Sequence, residues 1–294
     1  STSNSNRPSS RRSILKNRTV LFGLIAALFL FATGCSKEGQ STWEAFGPVA
    51  QKQLDLFNVL LWVMVATFFL VEGVLLYAVI RYRKRPGQPR PPQIHGNTTL
   101  EVVLTIIPTI LVLALGIWSV FALFEIDKPP GNGPEPMHVN VTAHQWWFEF
   151  EYPDAGNGKK IITANDLKIP VDRPITLSLF SDDVIHSFWV PKIGGKVDMV
   201  PGNGNDMWLQ ADTPGYLYAQ CAEFCGVAHA LMRFRVIAEP REDFDAWLLA
   251  QAEPAKESSD PLIAAGKQIF QQSGCTGCHA TDPSSSGRIG PNLA

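Results

Sequence analysis

Two long apolar segments dominate the hydrophobic pattern of this chain. Residues 56–80 contain one charged side chain, Glu72, and residues 102–124 contain none. As helices they would be roughly 35 Å long, which is enough to cross a hydrocarbon core of about 30 Å. The loop between them is basic and carries Arg81, Arg83, Lys84, Arg85 and Arg90. Because cytoplasmic loops carry an excess of Lys and Arg, the pattern predicts a membrane hairpin with both ends outside the cytoplasm.

After the second apolar segment the pattern changes to short alternating runs. Residues 128–136 are rich in Pro and Gly, as in a linker, and residues 137–143 alternate between apolar and polar, as in a half-buried strand. Further strand-like segments lie at 175–180, 187–190, 207–211, 216–220 and 231–238. Several short strands separated by Pro, Gly and Asp, without helical periodicity, predict a sandwich or a small barrel.

The first 34 residues have the pattern of a lipoprotein-type export signal. Residues 1–19 contain five cations and no acid. The apolar run at 20–32 would form a helix of only about 20 Å, which fits a signal peptide better than a membrane span. The following Ala-Thr-Gly-Cys resembles a bacterial lipoprotein cleavage site, so we expect a lipidated Cys35 to begin the mature protein. A plain signal peptide and a third span are the alternatives.

Composition and charge narrow the function classes only slightly. The chain has 294 residues, 46% of them apolar, and a net charge of −2, which argues against nucleic acid as a partner. Its five cysteines comprise the lipidation candidate and two closely spaced pairs. None is therefore left over for a structural disulfide.

The most informative motif places two thiols, an imidazole and a thioether within twelve residues, at Cys221, Cys225, His229 and Met232. A further imidazole is available upstream at His186. A weak axial Met beside Cys and His ligands is typical of copper electron-transfer sites. Zinc also takes two Cys and two His but gains nothing from a thioether, and a small disulfide is the remaining alternative. The motif therefore favours copper.

The same stretch resembles the CuA loop in subunit II of the haem–copper cytochrome c oxidases, whose pattern is Cys-x-Glu-x-Cys-x-x-x-His-x-x-Met; every position matches. The resemblance implies a cupredoxin-like Greek-key sandwich with a dinuclear copper centre, bridged by both thiolates. His186 and His229 would each bind one metal, and Met232 and the carbonyl of Glu223 would be the weak ligands. The Glu223 carboxylate would reach a magnesium ion at the contact with the catalytic subunit.

The resemblance also gives roles to an aromatic and an acidic residue. Trp146 would be the exposed ring through which electrons reach the copper, whereas most tryptophans in strands are simply core residues. The neighbouring Trp147 receives no role. Glu101 would lie at the entrance of a proton pathway, and an ordinary acidic residue in a first helical turn is the alternative. Glu72 either faces a helix partner or lies near the interface on a tilted helix.

A second cysteine pair, Cys275 and Cys278, is followed directly by His279, and Cys-x-x-Cys-His is the signature of c-type haem attachment. The thiols would add to the haem vinyl groups and the imidazole would bind the iron. A thioredoxin-like redox pair is the alternative, but a His directly after the second Cys and the lack of a βαβ pattern disfavour it.

The surroundings of this motif resemble a class I cytochrome c, in which the carbonyl at Pro291 would orient the iron-bound imidazole. The sequence stops at Ala294, before the distal Met and the further helices of such a domain. Because roughly 35 residues cannot enclose a haem by themselves, we expect a truncated cytochrome c domain.

Together, these patterns predict five consecutive parts. They are a lipoprotein-type signal peptide at 1–34, an N-terminal segment with a membrane α-hairpin of two transmembrane helices at 35–128, an exported all-β cupredoxin-like Greek-key sandwich at 129–240, a linker helix and linker at 241–260, and a partial α-helical cytochrome c domain at 261–294. The sandwich and the haem domain would lie outside a bacterial plasma membrane.

The predicted function is that of an oxidase subunit that accepts electrons at CuA. The electrons would come from cytochrome c or from the chain's own haem c. They would pass to the haems of oxidase subunit I, where oxygen is reduced and protons are pumped. The expected partners are subunit I, other oxidase subunits, the electron donor and the lipid bilayer. A membrane-tethered copper-delivery protein is the alternative from another class. Quinol oxidase subunits II share this fold without the copper ligands, and nitrous oxide reductase carries similar ligands without a membrane hairpin.

Overall fold

The computed structural model describes residues 22, 23, 25, 39–87, 89, 92–154, 158–253, 258–281 and 289–293. The chain divides into two compact units, residues 1–39 and 40–294. Residues 22, 23 and 25 are helical, and the rest of the predicted signal segment, including Cys35, lies outside the described residues. The elements below all belong to the second unit.

The first helix, α1 (Pro48–Arg81), contains the first apolar segment and is long and apolar enough to cross a membrane. It begins earlier than the apolar pattern predicts, with Pro near its N-terminus, where the missing N–H costs no helical hydrogen bond. Val49 and Ala50 in this first turn are buried. The additional turns therefore form because they pack on the rest of the protein.

The second helix, α2 (Thr98–Ile126), contains the other apolar segment and also meets the requirements of a membrane span. Its N-cap is Asn97, whose side chain accepts a hydrogen bond from the Leu100 amide at 3.1 Å. Glu101 completes the cap, because its Oε1 accepts from the Asn97 amide at 3.2 Å. Glu101 thus has a local structural role at the start of the span, and its role in proton uptake stays a prediction.

Ten strands lie within the described residues after the second helix, and they form two five-stranded sheets. The strands of the two sheets are β1 (Met137–His144), β2 (Trp147–Tyr152), β3 (Ile161–Ala164), β4 (Asp166–Pro170), β5 (Ile175–Ser181), β6 (His186–Trp189), β7 (Lys196–Met199), β8 (Asn205–Leu209), β9 (Gly215–Cys221) and β10 (Arg233–Glu239). One sheet has the order β3-β2-β1-β5-β8 and the other β4-β10-β9-β6-β7. The predicted membrane hairpin and β-sandwich are both confirmed.

Most strand neighbours are antiparallel, but β1 pairs with β5, and β4 with β10, in parallel. Such pairs arise because the chain crosses between sheets instead of continuing as hairpins. The crossings place β6 beside β9 in the second sheet, although β7 and β8 separate these two strands along the chain.

Four strands, β2, β3, β4 and β7, were not among the predicted ones. The signal for β2 is present, because Phe148, Phe150 and Tyr152 alternate with outward-facing polar or amphipathic residues and are fully buried. The other three strands have only four or five residues each. Segments this short carry too few alternations to be distinguished from loops.

Aromatic side chains from both sheets fill the core near the predicted copper site. The rings of Phe148 and Phe188 lie 4.6 Å and 4.8 Å from the ring of Phe234. All three side chains are almost completely buried. Because close-packed aromatic cores allow little rearrangement, they give the adjoining loops a fixed base.

The sandwich is joined to the start of α1 by backbone hydrogen bonds. Phe46 N donates to Lys192 O at 2.7 Å, and Ala50 N donates to Ile193 O at 3.0 Å. The Lys192 ammonium also lies 2.8 Å from a carboxylate oxygen of Glu44. The end of α2 is held in a similar way, since Trp208 Nε1 donates to Ile126 O at 2.8 Å. The sandwich is therefore held at both ends of the hairpin.

The junction of α1 and the sandwich has no room for a side chain at Gly47. A Cβ atom there would lie 1.8 Å from the carbonyl oxygen of Gln210. We expect Gly47→Ala to destabilise the protein by about 1–3 kcal/mol, since the backbone must shift to relieve the overlap. Thermal unfolding of the detergent-solubilised chain, followed by circular dichroism, measures this.

The matched control for Gly47→Ala is Gly131→Ala in the linker. A Cβ atom at Gly131 would have no neighbour within 4 Å. We expect its melting temperature to stay close to that of the wild type. Equal melting temperatures for the two variants would show that the junction does not contribute to stability.

Two further helices follow the sandwich. Phe244 and Leu248 of α3 (Arg241–Gln251) are buried against it, which accounts for the predicted connecting helix. The last helix, α4 (Pro261–Gln272), is capped by Asp260, whose side chain accepts from Leu262 N at 2.8 Å. No residue of α4 is buried within the described part of the chain.

Candidate metal centre and haem-attachment segment

Three neighbouring strands bring the predicted ligands to one end of the second sheet. His186 begins β6, Cys221 ends β9, and Met232 directly precedes β10. Phe188 lies opposite Cys221 in the β6–β9 pair, and Cys221 N donates to Met232 O at 3.0 Å. Residues 221–232, called here the cysteine loop, therefore fold back over their own base and meet His186.

The two thiols of the cysteine loop lie next to each other and next to both imidazoles. The Sγ atoms of Cys221 and Cys225 are 3.8 Å apart. Cys221 Sγ is 3.8 Å from Nδ1 of His186, and Cys225 Sγ is 3.5 Å from Nδ1 of His229. Since metal–thiolate bonds are about 2.3 Å long, as with zinc, both sulfurs can contact the same metal ion.

The two predicted weak ligands approach different members of this group. Met232 Sδ lies 3.2 Å from Nδ1 of His186 and 3.7 Å from Cys225 Sγ. The carbonyl oxygen of Glu223 lies 3.2 Å from Cys221 Sγ. The structure thus brings together all of the donor atoms named from the sequence pattern.

The centre of this group is closed to solvent. His186 and Met232 are completely buried, and Cys221 and Cys225 are nearly so. The ligand atoms of His186, Cys221 and Cys225 lie within 4.8 Å of one another. His229 is half-buried and lies at the outer side of the group. A metal bound here would have a dry, sulfur-rich environment.

The two thiols do not form a disulfide, since both are free and their separation is far above the disulfide length of about 2.05 Å. Burial raises the pKa of Cys221, but hydrogen bonds with the His186 ring and with the backbones of Glu223 and Ser187 outweigh it and lower the pKa to about 6. Burial and the neighbouring charge of Cys221 raise the pKa of Cys225. Cys221 is therefore the more acidic of the two thiols.

Asp183 orients the buried imidazole. Its Oδ1 lies 2.8 Å from Nε2 of His186 and accepts from the Val184 amide at 2.6 Å, and its Oδ2 accepts from the Gln145 amide at 2.7 Å. A carboxylate on one ring nitrogen fixes the proton there and leaves the other nitrogen free for a metal. The free nitrogen is Nδ1, which faces the sulfur atoms.

Trp146 lies against the cysteine loop. Its Nε1 donates to the carbonyl oxygen of Cys225 at 3.2 Å, and Gln145 Nε2 donates to the same oxygen at 2.7 Å. Gly226 allows this approach, because its φ is +119° and a Cβ atom would lie 3.3 Å from the indole ring. The ring predicted to receive electrons is thus in direct contact with a candidate ligand residue.

The side chain of Glu223 points away from the sulfur atoms. Its Oε2 lies 3.8 Å from Nζ of Lys196, which in turn lies 3.2 Å from a carboxylate oxygen of Asp198. The Glu223 side chain is 44% exposed. The predicted magnesium ligand is therefore accessible from outside, with a cation already beside it.

The haem-attachment motif is folded around its histidine. Cys275 begins a short 3-10 turn, and His279 N donates to Cys275 O at 3.0 Å. His279 Nδ1 lies 2.8 Å from the carbonyl oxygen of Pro291, as the resemblance implies. Gly290 makes the fit possible, because a Cβ atom there would lie 2.6 Å from the imidazole. This arrangement leaves Nε2 of His279 as the ring nitrogen available to a haem iron.

Three residues of the candidate site were not identified from the sequence. Asp183 lies in an acidic pair three residues before His186, Gln145 directly precedes Trp146, and Gly226 follows Cys225. A carboxylate close to a candidate ligand histidine is a usable signal for Asp183. Gln145 and Gly226 carry no such signal, because their roles depend on two distant loops meeting.

Asp183→Asn tests how the imidazole is held. Burial alone raises the pKa of Asp183, but hydrogen bonds from His186, Val184 and Gln145 lower it below its usual range. The ionised Asp183 carboxylate therefore stabilises the folded state above the unfolded-state pKa of about 3.9. This stabilisation is lost as the pH falls through the lower pKa of the folded state. We expect the metal-free variant to be about 2 kcal/mol less stable at pH 7, with the difference shrinking as the pH falls below the unfolded-state pKa.

Asp182→Asn is the control for this prediction. The Asp182 side chain is 73% exposed and lies 3.5 Å from His144 without contacting the buried imidazole. We expect its stability to change by less than about 0.5 kcal/mol at either pH. Thermal melts of both variants across the pH range provide the comparison. A constant deficit for Asp183→Asn at all pH values would contradict the ionic role of Asp183.

Comparisons with known protein families agree with this architecture. The family model for the periplasmic domain of cytochrome c oxidase subunit II matches residues 154–239. The model for the transmembrane domain of the same subunit matches residues 36–122. The two matches include all of α1, most of α2, the cysteine loop and His186.

Individual relatives match over most of the chain. A cytochrome c oxidase subunit 2 from Alkalihalophilus pseudofirmus is 38% identical over 261 residues, covering 87% of this chain and 75% of that protein. A quinol oxidase subunit 2 from Bacillus cereus is 35% identical over 241 residues, covering 80% of each. Among solved structures, the periplasmic domain of cytochrome oxidase subunit II from Bradyrhizobium japonicum is 29% identical over 40% of this chain and 95% of that domain, with a TM-score of 0.38.

Proposed function

This chain belongs to the family of cytochrome c oxidase subunit II and is a subunit of an oxidase. On that premise, we propose that it carries a dinuclear copper centre that accepts electrons from a c-type haem on the same chain. The electrons then pass to the haems of the partner subunit, where oxygen is reduced. The proposal is supported mainly by one observation: two thiols, two imidazoles and a thioether lie together at one buried end of the sandwich.

The donor set fits copper better than zinc. Zinc sites with two Cys and two His are closed by these four ligands and have no use for a thioether. Here Met232 Sδ is completely buried and lies 3.2 Å from a ligand nitrogen, so it takes part in the same group. Soft sulfur donors and imidazole favour copper, and a weak axial Met is typical of its electron-transfer sites.

The distances support dividing the ligands between two metal positions. His186 and Met232, whose donor atoms are 3.2 Å apart, would hold one copper. His229 and the carbonyl of Glu223 would hold the other, and Cys221 and Cys225 would contribute their sulfurs to the pair. When bound, the copper pair supplies one-electron redox chemistry. The protein contributes a rigid, dry set of ligands that changes little on electron transfer.

The residues around the ligands hold this arrangement in place. Asp183 keeps the proton of His186 on Nε2, so that Nδ1 faces the metal. Trp146 covers the cysteine loop and, through its contact with the Cys225 carbonyl, provides the path by which electrons reach the centre. The ring stays half-buried, with one part against the loop and another towards solvent.

A c-type haem is the proposed immediate donor. Cys275 and Cys278 would attach it covalently, and His279 would bind the iron through Nε2, oriented by the Pro291 carbonyl. A haem donor on the same chain favours cytochrome c oxidase over quinol oxidase activity. Every copper ligand of the cytochrome c oxidase pattern is also present in this chain. Quinol oxidase subunits II lack these ligands.

The remaining assignments concern the proton pathway, a magnesium site and the lipid anchor. A role for Glu101 in proton uptake and for Glu223 in binding magnesium rests on the family resemblance. Lys196 would have to leave the Glu223 carboxylate before a cation could bind there. Lipidation at Cys35, and export of the sandwich across a bacterial plasma membrane, rest on the sequence pattern. The mass of the native protein tests the lipid.

The spectra of the purified full-length protein test the proposal as a whole. We expect the near-infrared absorption and many-line EPR signal of a mixed-valence copper pair, together with the absorption bands of haem c. Metal analysis should give copper and iron in a ratio of two to one. A single colourless Cu(I) and no haem would instead indicate a copper-delivery protein.

A further inference from the structure

A second tryptophan makes a contact that the proposed function leaves unexplained. Trp147 Nε1 donates to the carbonyl oxygen of Ile289 at 3.4 Å, although the two residues are 142 positions apart. Trp147 belongs to the sandwich, whereas Ile289 belongs to the segment that holds His279. The contact therefore links the copper domain to the haem-attachment motif.

On the haem side, the contact leads directly to the iron-binding histidine. Ile289 is followed by Gly290, whose Cβ position lies 2.6 Å from the His279 ring. The next residue, Pro291, accepts the hydrogen bond from His279 Nδ1 at 2.8 Å. The backbone at 289–291 thus touches the imidazole and Trp147 at the same time.

On the copper side, Trp147 is bonded covalently to Trp146. Trp146 Nε1 lies 3.2 Å from the carbonyl oxygen of Cys225. A continuous series of covalent bonds and short contacts therefore runs from His279 through Ile289 and the two tryptophans to Cys225.

The orientation of the Trp147 ring is fixed within the sandwich. It stacks on His144, with ring centroids 4.4 Å apart and an angle of 13° between the planes. His144 is itself held on β1, where it is paired with Trp147 of β2. Stacking fixes the plane of the indole, so its N–H is presented in one direction before the haem segment binds.

From these contacts we infer that Trp147 docks the haem-attachment segment of the same chain onto the copper domain. The inference rests on the proposed function. One electron leaves the ferrous haem iron, which becomes ferric, and reduces the copper pair by one electron; no bond forms or breaks, and no proton is required. Trp147 is a positioning residue in this step, because it binds the segment that carries the donor and does not itself bind either cofactor.

Docking within one chain has a kinetic consequence. The haem is present at an effective concentration set by the linker, so electron transfer does not depend on the concentration of the protein. Because the Trp147–Ile289 contact involves neutral groups, it is also insensitive to ionic strength. Transfer from an external protein donor that is guided by charge would slow as salt is added.

Trp147→Phe is the test, because phenylalanine can keep the stack on His144 but has no N–H to donate. Loss of one hydrogen bond should lower the ratio of docked to undocked haem segment about fivefold. We expect hydrogen–deuterium exchange of the amides at 289–293 to rise by this factor. Haem-to-copper transfer after rapid photoreduction of the haem should slow to a similar extent, with the copper EPR and haem absorption unchanged.

Trp247→Phe is the matched control. Trp247 packs against Tyr152 and Phe244, with ring centroids 5.5 Å and 5.7 Å away, and contacts neither the cysteine loop nor the described haem segment. It should change neither the exchange nor the transfer rate.

Wild-type exchange and wild-type transfer rates in Trp147→Phe would overturn the inference. The exchange measurement needs no electron transfer, so it remains decisive if the variant alters the copper spectrum. A wild-type protein without haem or without the copper pair would instead overturn the proposed function.

Discussion

The Cys225→Ser variant is expected to lose the mixed-valence copper spectrum while it keeps the haem absorption of the same chain. Cys225 Sγ lies within 3.8 Å of Cys221 Sγ, His229 Nδ1 and Met232 Sδ, so it touches donors of both proposed metal positions. A serine hydroxyl is a hard donor and stays protonated at neutral pH, so it cannot replace a bridging thiolate. Copper content, near-infrared absorption and EPR of the purified variant measure the loss.

Met232→Leu is the comparison for this variant, since leucine has a similar volume but no sulfur. Met232 is a proposed weak ligand of only one metal, so its loss should leave a copper centre with an altered redox potential. A wild-type spectrum in Cys225→Ser would show that the ligand assignment is wrong. Loss of both spectra together, copper and haem, would indicate misfolding and would be visible as a lower melting temperature.

The double variant Cys275→Ser/Cys278→Ser is expected to lose covalently bound haem completely and to keep the copper spectrum. Under the proposed function, haem would be attached through thioether bonds to these two sulfurs, and serine cannot form such bonds. The cysteine loop lies on the sandwich, and in the described residues the haem segment touches the sandwich through Trp147 and Ile289. A haem stain of a denaturing gel detects covalent haem, and EPR of the same preparation detects the copper pair.

The two sets of variants control each other, because each should remove one cofactor and spare the other. Haem that stays bound to the denatured double variant would place its attachment elsewhere in the chain. Copper loss in the double variant would mean that the haem segment is needed to form the copper site. That outcome would contradict the separation of the two sites.

The cysteine loop is the part of the site that the sequence predicts best. Its donors lie within twelve consecutive residues, so a local fold is enough to bring Cys221, Cys225, His229 and Met232 together. His186 is different, since it lies 35 positions before Cys221. Its place in the group depends on the pairing of β6 with β9, which the sequence pattern indicates only through the family resemblance.

The membrane hairpin was predicted from composition alone, because the length and polarity of a helix that crosses a bilayer are fixed by the bilayer. The exact start of α1 was not predicted, because Val49 and Ala50 are helical through their packing on the sandwich. The strands β3, β4 and β7 were missed because segments of four or five residues carry too few alternations. Their residues become strands because neighbouring strands supply hydrogen-bond partners.

By itself, the sequence determined which atoms are available for chemistry: the sulfur and imidazole donors, the haem-attachment motif and the two apolar spans. These features are local, so spacing and composition are sufficient to recognise them. The tertiary structure alone decided which distant groups meet, as Gln145 meets Cys225, Gly226 meets Trp146, and Trp147 meets Ile289. Such contacts depend on how strands cross between the two sheets, and no local pattern of side chains encodes that arrangement.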